Sequence, residues 1–239
     1  MADDLAENDL REKLTTVSVA TLSAQLRKHG LNNVTIDGVQ AAKPGSRFAG
    51  RARTLRYLPH REDLFAERGD GFNAQKRAIE SLEPGEVLVM EARGERGSGT
   101  IGDILAKRAE VRGAAAVVTD GGLRDAAVVA ELGISVFHGG PHPAVLGRRH
   151  VPWDIDVPIG CGGAAVLPGD WIVGDDDGVL VIPPPLVREV LGAAAEQERQ
   201  ERFITEQVAA GSGIEGLYPL GDIWQKRYED WLTTLTDTE

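Results

Sequence analysis

Three charged residues stand directly behind glycine-rich segments of the chain. Asp103 follows residues 97–102, and Arg124 with Asp125 follows Gly121-Gly122-Leu123. Adjacent side chains point in different directions, so Arg124 can bind a carboxylate or carbonyl oxygen while Asp125 faces a divalent cation. A solvated turn is the simpler account of an isolated Arg-Asp dipeptide. The Asp-x20-Arg-Asp spacing, with both ends in glycine-rich loops after consecutive apolar runs, instead favours an active site.

The glycine-rich segment at 97–102 permits other interpretations. It satisfies Gly-x-Gly-x-x-Gly, and Asp120 ends the next apolar run, as the ribose-binding acid of a nicotinamide or flavin site would. Against this, residues 91–96 separate the preceding strand from the first glycine, whereas the dinucleotide fingerprint begins almost at the strand end. Free N–H groups at the start of the next helix also favour an anion. The alternative without a ligand is a flexible connection in which Asp103 caps the helix.

Two other groups of residues are weaker candidates for metal binding. His138 and His142 have a compatible spacing for zinc, but Gly139-Gly140-Pro141 between them prevents a helix from aligning the rings, and no third ligand is evident. Residues 175–177 are acidic, yet Leu186 stands where the closing Glu of a calcium loop belongs. A solvated hairpin turn is the simpler interpretation of the acidic run.

Helical and strand patterns alternate along the chain, which predicts an α/β core. One N-terminal amphipathic helix is predicted from apolar residues at near-helical spacing: Leu10, Leu14, Val17, Leu22 and Leu26. Further helices are predicted at 73–82, 104–111 and 186–209. Strands are predicted at 34–39, 50–58, 87–90, 114–118 and 134–137. The Asp-Gly turn at 177–178 predicts a hairpin between residues 171–173 and 179–182, and therefore a mixed sheet.

Composition restricts the classes of function. The net charge of -11 and the pI near 5.0 oppose binding of nucleic acid through neutralised phosphates. The single cysteine, Cys161, has no partner for an internal disulfide, which suggests a reducing compartment. The N-terminus is acidic, and no apolar run approaches the ~20 residues that cross a bilayer. We therefore expect a cytoplasmic protein that binds neither membrane nor nucleic acid.

The chain resembles the RraA-like proteins, which include the class II 4-hydroxy-4-methyl-2-oxoglutarate aldolases. The likeness extends over roughly residues 14–185 and is specific because several motifs combine. These motifs are Gly102-Asp103-Ile104-Leu105, Val118-Thr119-Asp120-Gly121-Gly122-Leu123-Arg124-Asp125, Ile134-Ser135-Val136-Phe137, Pro168-Gly169-Asp170 and residues 175–183. Family members commonly carry Asp-Ala-Leu in the first helix, where this chain has Thr21-Leu22-Ser23.

The resemblance implies a fold, an assembly and a set of site residues. The fold is α/β, a swivelling β/β/α-type sandwich with a mixed central sheet and helices on its faces, assembled as homotrimers or homohexamers with active sites between subunits. By likeness, Gly102, Asp103, Ile104 and Leu105 would bind the pyruvate-like end of the substrate, largely through backbone N–H groups. Arg124 would contact the carboxylate or keto oxygen. Asp125 would hold magnesium or manganese, partly through water that Asp103 helps to order.

The function implied is a divalent-metal-dependent lyase that cleaves a 2-oxo acid through a pyruvate enolate, with Arg124 and Asp103 as catalytic residues. It would be an aldolase of the 4-hydroxy-4-methyl-2-oxoglutarate type with oxaloacetate decarboxylation as a side activity. A metal ion and an Arg suit the stabilisation of an enolate, and no Lys stands in the motif to form a Schiff base. The alternatives are a hydro-lyase on a sugar-derived 2-oxo acid and a non-catalytic regulator of RNase E.

Two segments are predicted. Residues 1–185 form the RraA-like α/β core with its N-terminal helix, and residues 186–239 form a C-terminal helix and an aromatic tail. The tail would pack on the core or on a neighbouring subunit, because its aromatic side chains are costly to leave in water. Acids on the C-terminal helix are available to complete a neighbouring active site: Glu196, Glu198 and Glu206.

Overall fold

The computed structural model describes residues 2–236 of the chain and the side chains of residues 7–234. The α-helices within this range are α1 Ala2–Thr16, α2 Val19–Lys28, α3 Glu62–Arg68, α4 Ala74–Glu80, α5 Asp103–Val111, α6 Ala126–Val129, α7 Val187–Ala209 and α8 Asp222–Thr236. The strands are β1 Gln40–Ala41, β2 Phe48–Pro59, β3 Glu86–Glu91, β4 Gly99–Ile101, β5 Ala116–Leu123, β6 Ser135–Pro141, β7 His150–Ile155, β8 Ile159–Cys161, β9 Ala164–Val166, β10 Trp171–Asp175 and β11 Gly178–Ile182.

A mixed sheet organises the fold, in the order β1-β6-β5-β3-β2-β10-β11. Its centre, β6-β5-β3-β2, is parallel, whereas β1, β10 and β11 run antiparallel to their neighbours. β4 extends the parallel part beside the end of β5, and β7 pairs with the second half of β2. Residues 34–41 pair with β11 at one end and with β6 at the other, so the sheet is nearly closed.

Side chains of the central strands alternate between two apolar layers, as the period of a strand requires. In β3, Leu88 and Met90 face the layer that α4 and α5 cover, while Val87 and Val89 face the layer beneath the β8–β9 hairpin. A third apolar layer joins α1, α2 and α7 to β10 and β11. The predicted α/β fold with a mixed sheet and helices on its faces is confirmed, as is the hairpin at 171–182.

The prediction of one N-terminal helix is wrong, because the chain breaks between α1 and α2. Ser18 has an extended backbone, and its hydroxyl accepts from the N–H of Thr21 as an N-cap. Glu198 of α7 accepts the Ser18 N–H at 2.9 Å, and Asp175 accepts the Val19 N–H at 3.0 Å. The spacing of apolar residues continues across the break because both helices cover the same layer.

The C-terminal part begins with α7, whose first half packs on α2 and whose last turns contact the tail. Phe203 lies in a small apolar cluster with Leu217 and Tyr228, against which Trp224 and Trp231 pack. The division of the chain at residue 185 stays a prediction. None of the helices in residues 2–236 is long and apolar enough to span a bilayer.

Candidate active site

Strands β4 and β5 bring the two motifs together. They run parallel, and Ile101 pairs with Leu123, so the residues that follow each strand leave the sheet side by side. The N–H of Arg124 donates to the carbonyl of Ile101 at 2.9 Å. The neighbourhood therefore follows from strand register, since the carboxyl ends of parallel strands are where sites collect.

Gly102 and Asp125 are in direct contact. A Cβ built on Gly102 would lie 2.9 Å from Oδ2 of Asp125 and 3.4 Å from Cβ of Arg124. Asp125 precedes α6 with a left-handed backbone, at a φ of 56°, and its side chain is exposed. Asp tolerates this conformation better than most residues. The close approach accounts for glycine at position 102.

The start of α5 presents unpaired backbone donors. Gly102 is its N-cap and supplies no side-chain cap, and Asp103 is the first helical residue. Oδ1 of Asp103 accepts from the N–H of Ile104 at 2.8 Å. Ile104 extends into solvent with 78% of its surface exposed, while Leu105 packs partly against the core. The remaining N–H groups of the first turn have no intrahelical acceptor and favour an anion.

Arg124 is half-buried, and its aliphatic part packs on Gly99, the first residue of β4. A Cβ built on Gly99 would lie 2.2 Å from Cγ of Arg124, so only glycine leaves room for it. The Nε atom is buried and has no hydrogen-bond partner within the described side chains. Among those residues, no ion pair joins Arg124 to Asp125 or to any other acid.

Hydroxyl groups and glycines of β4 and β5 pack next to the candidate site. They were not among the site residues predicted from the sequence. Thr100 and Thr119 lie 3.1 Å apart through their Oγ1 atoms, and Oγ1 of Thr100 donates to the carbonyl of Gly122. A Cβ on Gly121 would lie 2.6 Å from Cγ2 of Thr100. The glycines of both motifs thus allow two backbones to pack closely, a role that the glycine spacing alone indicates only in general terms.

Asp120 has no free oxygen for a ribose. Its carboxylate is buried and accepts the N–H groups of Ala92, Gly94 and Gly162 at 2.6, 2.8 and 3.3 Å. These donors come from residues distant in sequence, so the pattern of the motif could not predict them. The arrangement accounts for this acid without a dinucleotide.

The histidines and the acidic turn also have local partners. Nδ1 of His138 accepts from the N–H of Gly140 at 3.0 Å, and Nδ1 of His142 accepts from that of Ala144 at 3.1 Å. Burial lowers the pKa of His138. Within the described side chains, no three His, Cys, Asp or Glu residues form a metal-binding group. The acidic run at 175–177 forms the turn of the β10–β11 hairpin.

The three acids considered on α7 are engaged within their own chain. Glu196 accepts from the Tyr228 hydroxyl at 2.9 Å, Glu198 caps α2, and Glu206 accepts from Nε1 of Trp231 at 3.0 Å. A cavity of about 480 Å³ lies nearby, between α2, α7 and residues 218–220. Its wall does not include Asp103, Arg124 or Asp125. The candidate site at the end of β4 and β5 is therefore separate from this cavity.

Comparison with known proteins identifies the family of this chain. Residues 19–181 match the model of the RraA-like family, described as Aldolase/RraA, and the chain belongs to that family. It is 32% identical over 209 residues to the "Putative 4-hydroxy-4-methyl-2-oxoglutarate aldolase" of Halalkalibacterium halodurans. The match covers 86% of this chain and 93% of the relative.

Solved structures support the fold. The crystal structure of RraAS2 from Streptomyces coelicolor, an unusual member of the RNase ES inhibitor RraA protein family, superposes with a TM-score of 0.75 at 36% identity. The match covers 82% of this chain and 94% of that chain. An uncharacterized protein from Pseudomonas syringae superposes with a TM-score of 0.79 at 26% identity, over 90% of this chain and 94% of that chain.

Proposed function

We propose that this protein is a divalent-metal-dependent lyase that cleaves a 2-oxo acid through a pyruvate enolate. The reaction is of the 4-hydroxy-4-methyl-2-oxoglutarate aldolase type, with oxaloacetate decarboxylation as a side activity. The name of the relative from Halalkalibacterium halodurans supports an aldolase, and its 93% coverage means that the likeness extends over nearly the whole relative.

The observation that carries the proposal is a pair of adjacent opposite charges without protein partners. The Asp125 carboxylate and the Arg124 guanidinium have no ion pair within the described side chains, and Nε of Arg124 is buried without an acceptor. Elsewhere on the surface, acids and arginines pair readily, as Arg108 does with Glu80 at 2.6 Å. A half-buried guanidinium without an acceptor is costly unless a ligand supplies one.

The donor set fits a magnesium or manganese ion. Asp125 offers an exposed, hard oxygen ligand, and the bare backbone of Gly102 leaves space beside it that a Cβ would fill. Magnesium prefers one or two carboxylates, with water and substrate oxygens in the remaining positions. Asp125 would hold the ion, and Asp103 would order the surrounding water. When bound, the ion would supply positive charge to the substrate oxygens.

The residues of this chain perform two tasks in the proposed reaction. The N–H groups at 102–105 bind the 2-oxo acid end of the substrate. Arg124 donates to the oxygen on C2, where negative charge develops when the C3–C4 bond breaks and its electron pair moves towards the keto group. The 4-hydroxyl loses a proton and C3 gains one, so 4-hydroxy-4-methyl-2-oxoglutarate gives two pyruvates. Oxaloacetate gives pyruvate and carbon dioxide by the same cleavage.

We further propose that the assembly is a homotrimer or homohexamer and that a neighbouring subunit covers this site. Ile104 on α5 and Val128 on α6 border it and expose 78% and 53% of their surfaces. Apolar side chains of this size beside a charged site favour a protein contact. We also propose a small-molecule substrate, which the aldolase name of the relative from Halalkalibacterium halodurans supports, and a cytoplasmic location.

The test is release of pyruvate from oxaloacetate and from 4-hydroxy-4-methyl-2-oxoglutarate, with magnesium, with manganese and with a chelator. We expect metal-dependent release that Asp125→Ala abolishes and that Arg124→Ala lowers to a small but measurable residual rate. Arg108→Ala is the matched control, because it removes a surface arginine that already has an acid partner. Release that is unchanged in both site variants would contradict the proposal.

The same assay separates the alternatives. Absence of pyruvate release from folded, magnesium-saturated protein would favour the hydro-lyase on a sugar-derived 2-oxo acid or the regulator of RNase E. The regulator is favoured by the likeness to the RNase ES inhibitor family. A regulator needs a binding surface, but it does not need an unpaired Arg124 and Asp125. In a regulator, Arg124→Ala would therefore leave inhibition of RNase E intact.

A further inference from the structure

We propose that Asp120 is a positioning residue that fixes the loop at 92–98, together with Gly99 at the start of β4, over the end of β5 and thereby sets the place of Arg124. This inference rests on the proposed function for its consequence in catalysis. Asp120 itself does not touch the substrate, because its side chain is only 4% exposed and faces backbone N–H groups. Its effect would therefore pass through the loop.

The contacts of the carboxylate join two loops to one strand. Oδ1 accepts the N–H of Ala92 at 2.6 Å, and Oδ2 accepts those of Gly94 at 2.8 Å and Gly162 at 3.3 Å. Gly162 lies in the turn of the β8–β9 hairpin. Gly94 has a left-handed φ of 67°, so this loop has the backbone geometry that glycine favours. A carboxylate accepting several N–H groups forms strong, charge-assisted bonds.

The rest of the loop lies against β5 on the path from Asp120 to Arg124. A Cβ built on Gly122 would lie 2.5 Å from the Ser98 carbonyl oxygen, so the two backbones are in contact. One residue later, Gly99 touches Cγ of Arg124. The loop thus forms the surface on which the arginine rests. If the loop shifts, the guanidinium loses this support, and small misplacements of a substrate-binding group reduce rates strongly.

Asp120→Asn is the informative variant. It keeps the shape of the side chain but replaces one acceptor oxygen with an NH₂ group, which cannot accept from the backbone N–H groups. We expect kcat/KM for pyruvate release from oxaloacetate to fall about 100-fold. The magnesium concentration for half-maximal release should stay within about twofold, because the atoms nearest a Cβ on Gly99 all belong to Arg124 and none belongs to Asp125. A purely structural role would not separate these two quantities.

A double-mutant cycle shows whether the effect passes through Arg124. If Asp120 acts by placing the arginine, Asp120→Asn combined with Arg124→Ala should be no slower than Arg124→Ala alone. Asp170→Asn is the matched control: Asp170 is also buried and accepts one backbone N–H, from Leu167, but it lies beside the start of β10. Its effect should be small and additive with Arg124→Ala.

Gly94→Ala tests the same loop without altering the acid, in case Asp120→Asn does not fold. Nothing lies within 4 Å of a Cβ at this position, so only the φ of 67° is strained. We expect a smaller loss of kcat/KM in the same direction. Amide hydrogen exchange across residues 92–99 should increase in both variants, and it does not depend on activity.

The outcomes are distinct. Wild-type protein that releases no pyruvate would contradict the proposed function, while faster exchange at 92–99 in Asp120→Asn would still support the fixed loop. Active wild-type protein with additive effects in the cycle, or with unchanged exchange at 92–99, would overturn the positioning role of Asp120.

Discussion

Asp125 combines a left-handed φ of 56° with an exposed carboxylate. Asn also tolerates this backbone region, so Asp125→Asn should remove the charge and keep the fold. We expect magnesium-dependent pyruvate release to fall by more than about 100-fold, because the metal would lose its protein ligand. Thermal unfolding followed by circular dichroism should shift by less than about 3 °C.

Asp156 provides the control for that variant. Its φ is 57°, and its carboxylate pairs with Nε of Arg53 at 2.8 Å, away from the candidate site. Asp156→Asn should therefore leave pyruvate release unchanged. Equal activities in Asp125→Asn and Asp156→Asn would show that the carboxylate at 125 does not bind the metal.

Gly102 is the second residue whose substitution has a defined consequence. A Cβ at this position would lie 2.9 Å from Oδ2 of Asp125, and the exposed carboxylate can move away at little cost in stability. Gly102→Ala should raise the magnesium concentration for half-maximal release about tenfold, and change the free energy of unfolding by less than about 0.5 kcal/mol. Gly192→Ala, on α7 with nothing within 4 Å, should leave the magnesium requirement as in the wild type. A Gly102→Ala protein with normal magnesium dependence would place the metal elsewhere.

At the scale of elements, long apolar runs could be predicted and short elements could not. The runs at 87–90 and 114–118 became the buried central strands β3 and β5. Strands β8 and β9 have three residues each, and β7 contains Pro152, so no periodicity marked them. The N-terminal helix was predicted without its break because the acceptors of the Ser18 and Val19 N–H groups, Glu198 and Asp175, lie far away in sequence.

In the candidate site, too, some features could be predicted from the sequence and others could not. The motif placed Gly102 and Asp125 in loops after consecutive strands, and parallel register brings them together. The Asp120 bonds could not be foreseen, since their donors at 92, 94 and 162 meet only in the folded chain. Local pattern thus predicts which residues leave a strand end, whereas tertiary packing decides which of them remain unpaired.

The joint between α7 and α8 depends on Phe203, which is 2% exposed. Its ring centroid lies 5.6 Å from that of Tyr228 and 5.7 Å from that of Trp231. Phe203→Ala should weaken the docking of α8 by about 3 kcal/mol, the usual cost of a large cavity. Amide hydrogen exchange in α8 should then accelerate while the central strands stay protected. Val208→Ala, at a position that is 44% exposed on the same helix, should leave exchange in α8 unchanged. Equal protection of α8 in the two variants would contradict this role of Phe203.

At the scale of the whole molecule, buried histidines make stability depend on pH. His150 is fully buried, and burial, followed by the charge of Arg93, lowers its pKa to about 4. Glu95 acts in the opposite direction, and Arg149 adds to the lowering. Burial lowers the pKa of His138 as well. The native protein therefore binds fewer protons at these positions than the unfolded chain does, in which histidine titrates near about 6.5.

The sign of the pH effect follows from that difference. As the pH falls from about 6.5 to about 4, protons bind the unfolded chain more readily than the native protein. The contribution of neutral His150 to the free energy of unfolding is therefore fully present above about pH 6.5 and is lost as the pH falls to about 4. The full loss is about 3 kcal/mol, of which urea unfolding at about pH 7.5 and about pH 5 should detect roughly half. Asp170 opposes this loss, because burial raises its pKa and its protonation favours the native state.

His150→Phe isolates the contribution of this histidine. A phenyl ring can keep the packing on Tyr57, whose ring centroid lies 5.5 Å from that of the imidazole, but it cannot take up a proton. The variant should be less stable at about pH 7.5, because Arg93 loses a neighbour at Nδ1, yet should lose less stability on acidification than the wild type. His29→Gln, at an exposed position after α2, should keep most of the difference in the free energy of unfolding that the wild type shows between about pH 7.5 and about pH 5. If His150→Phe retained the full difference between the two pH values, the acid sensitivity would have to come from another group, with His138 the next to substitute.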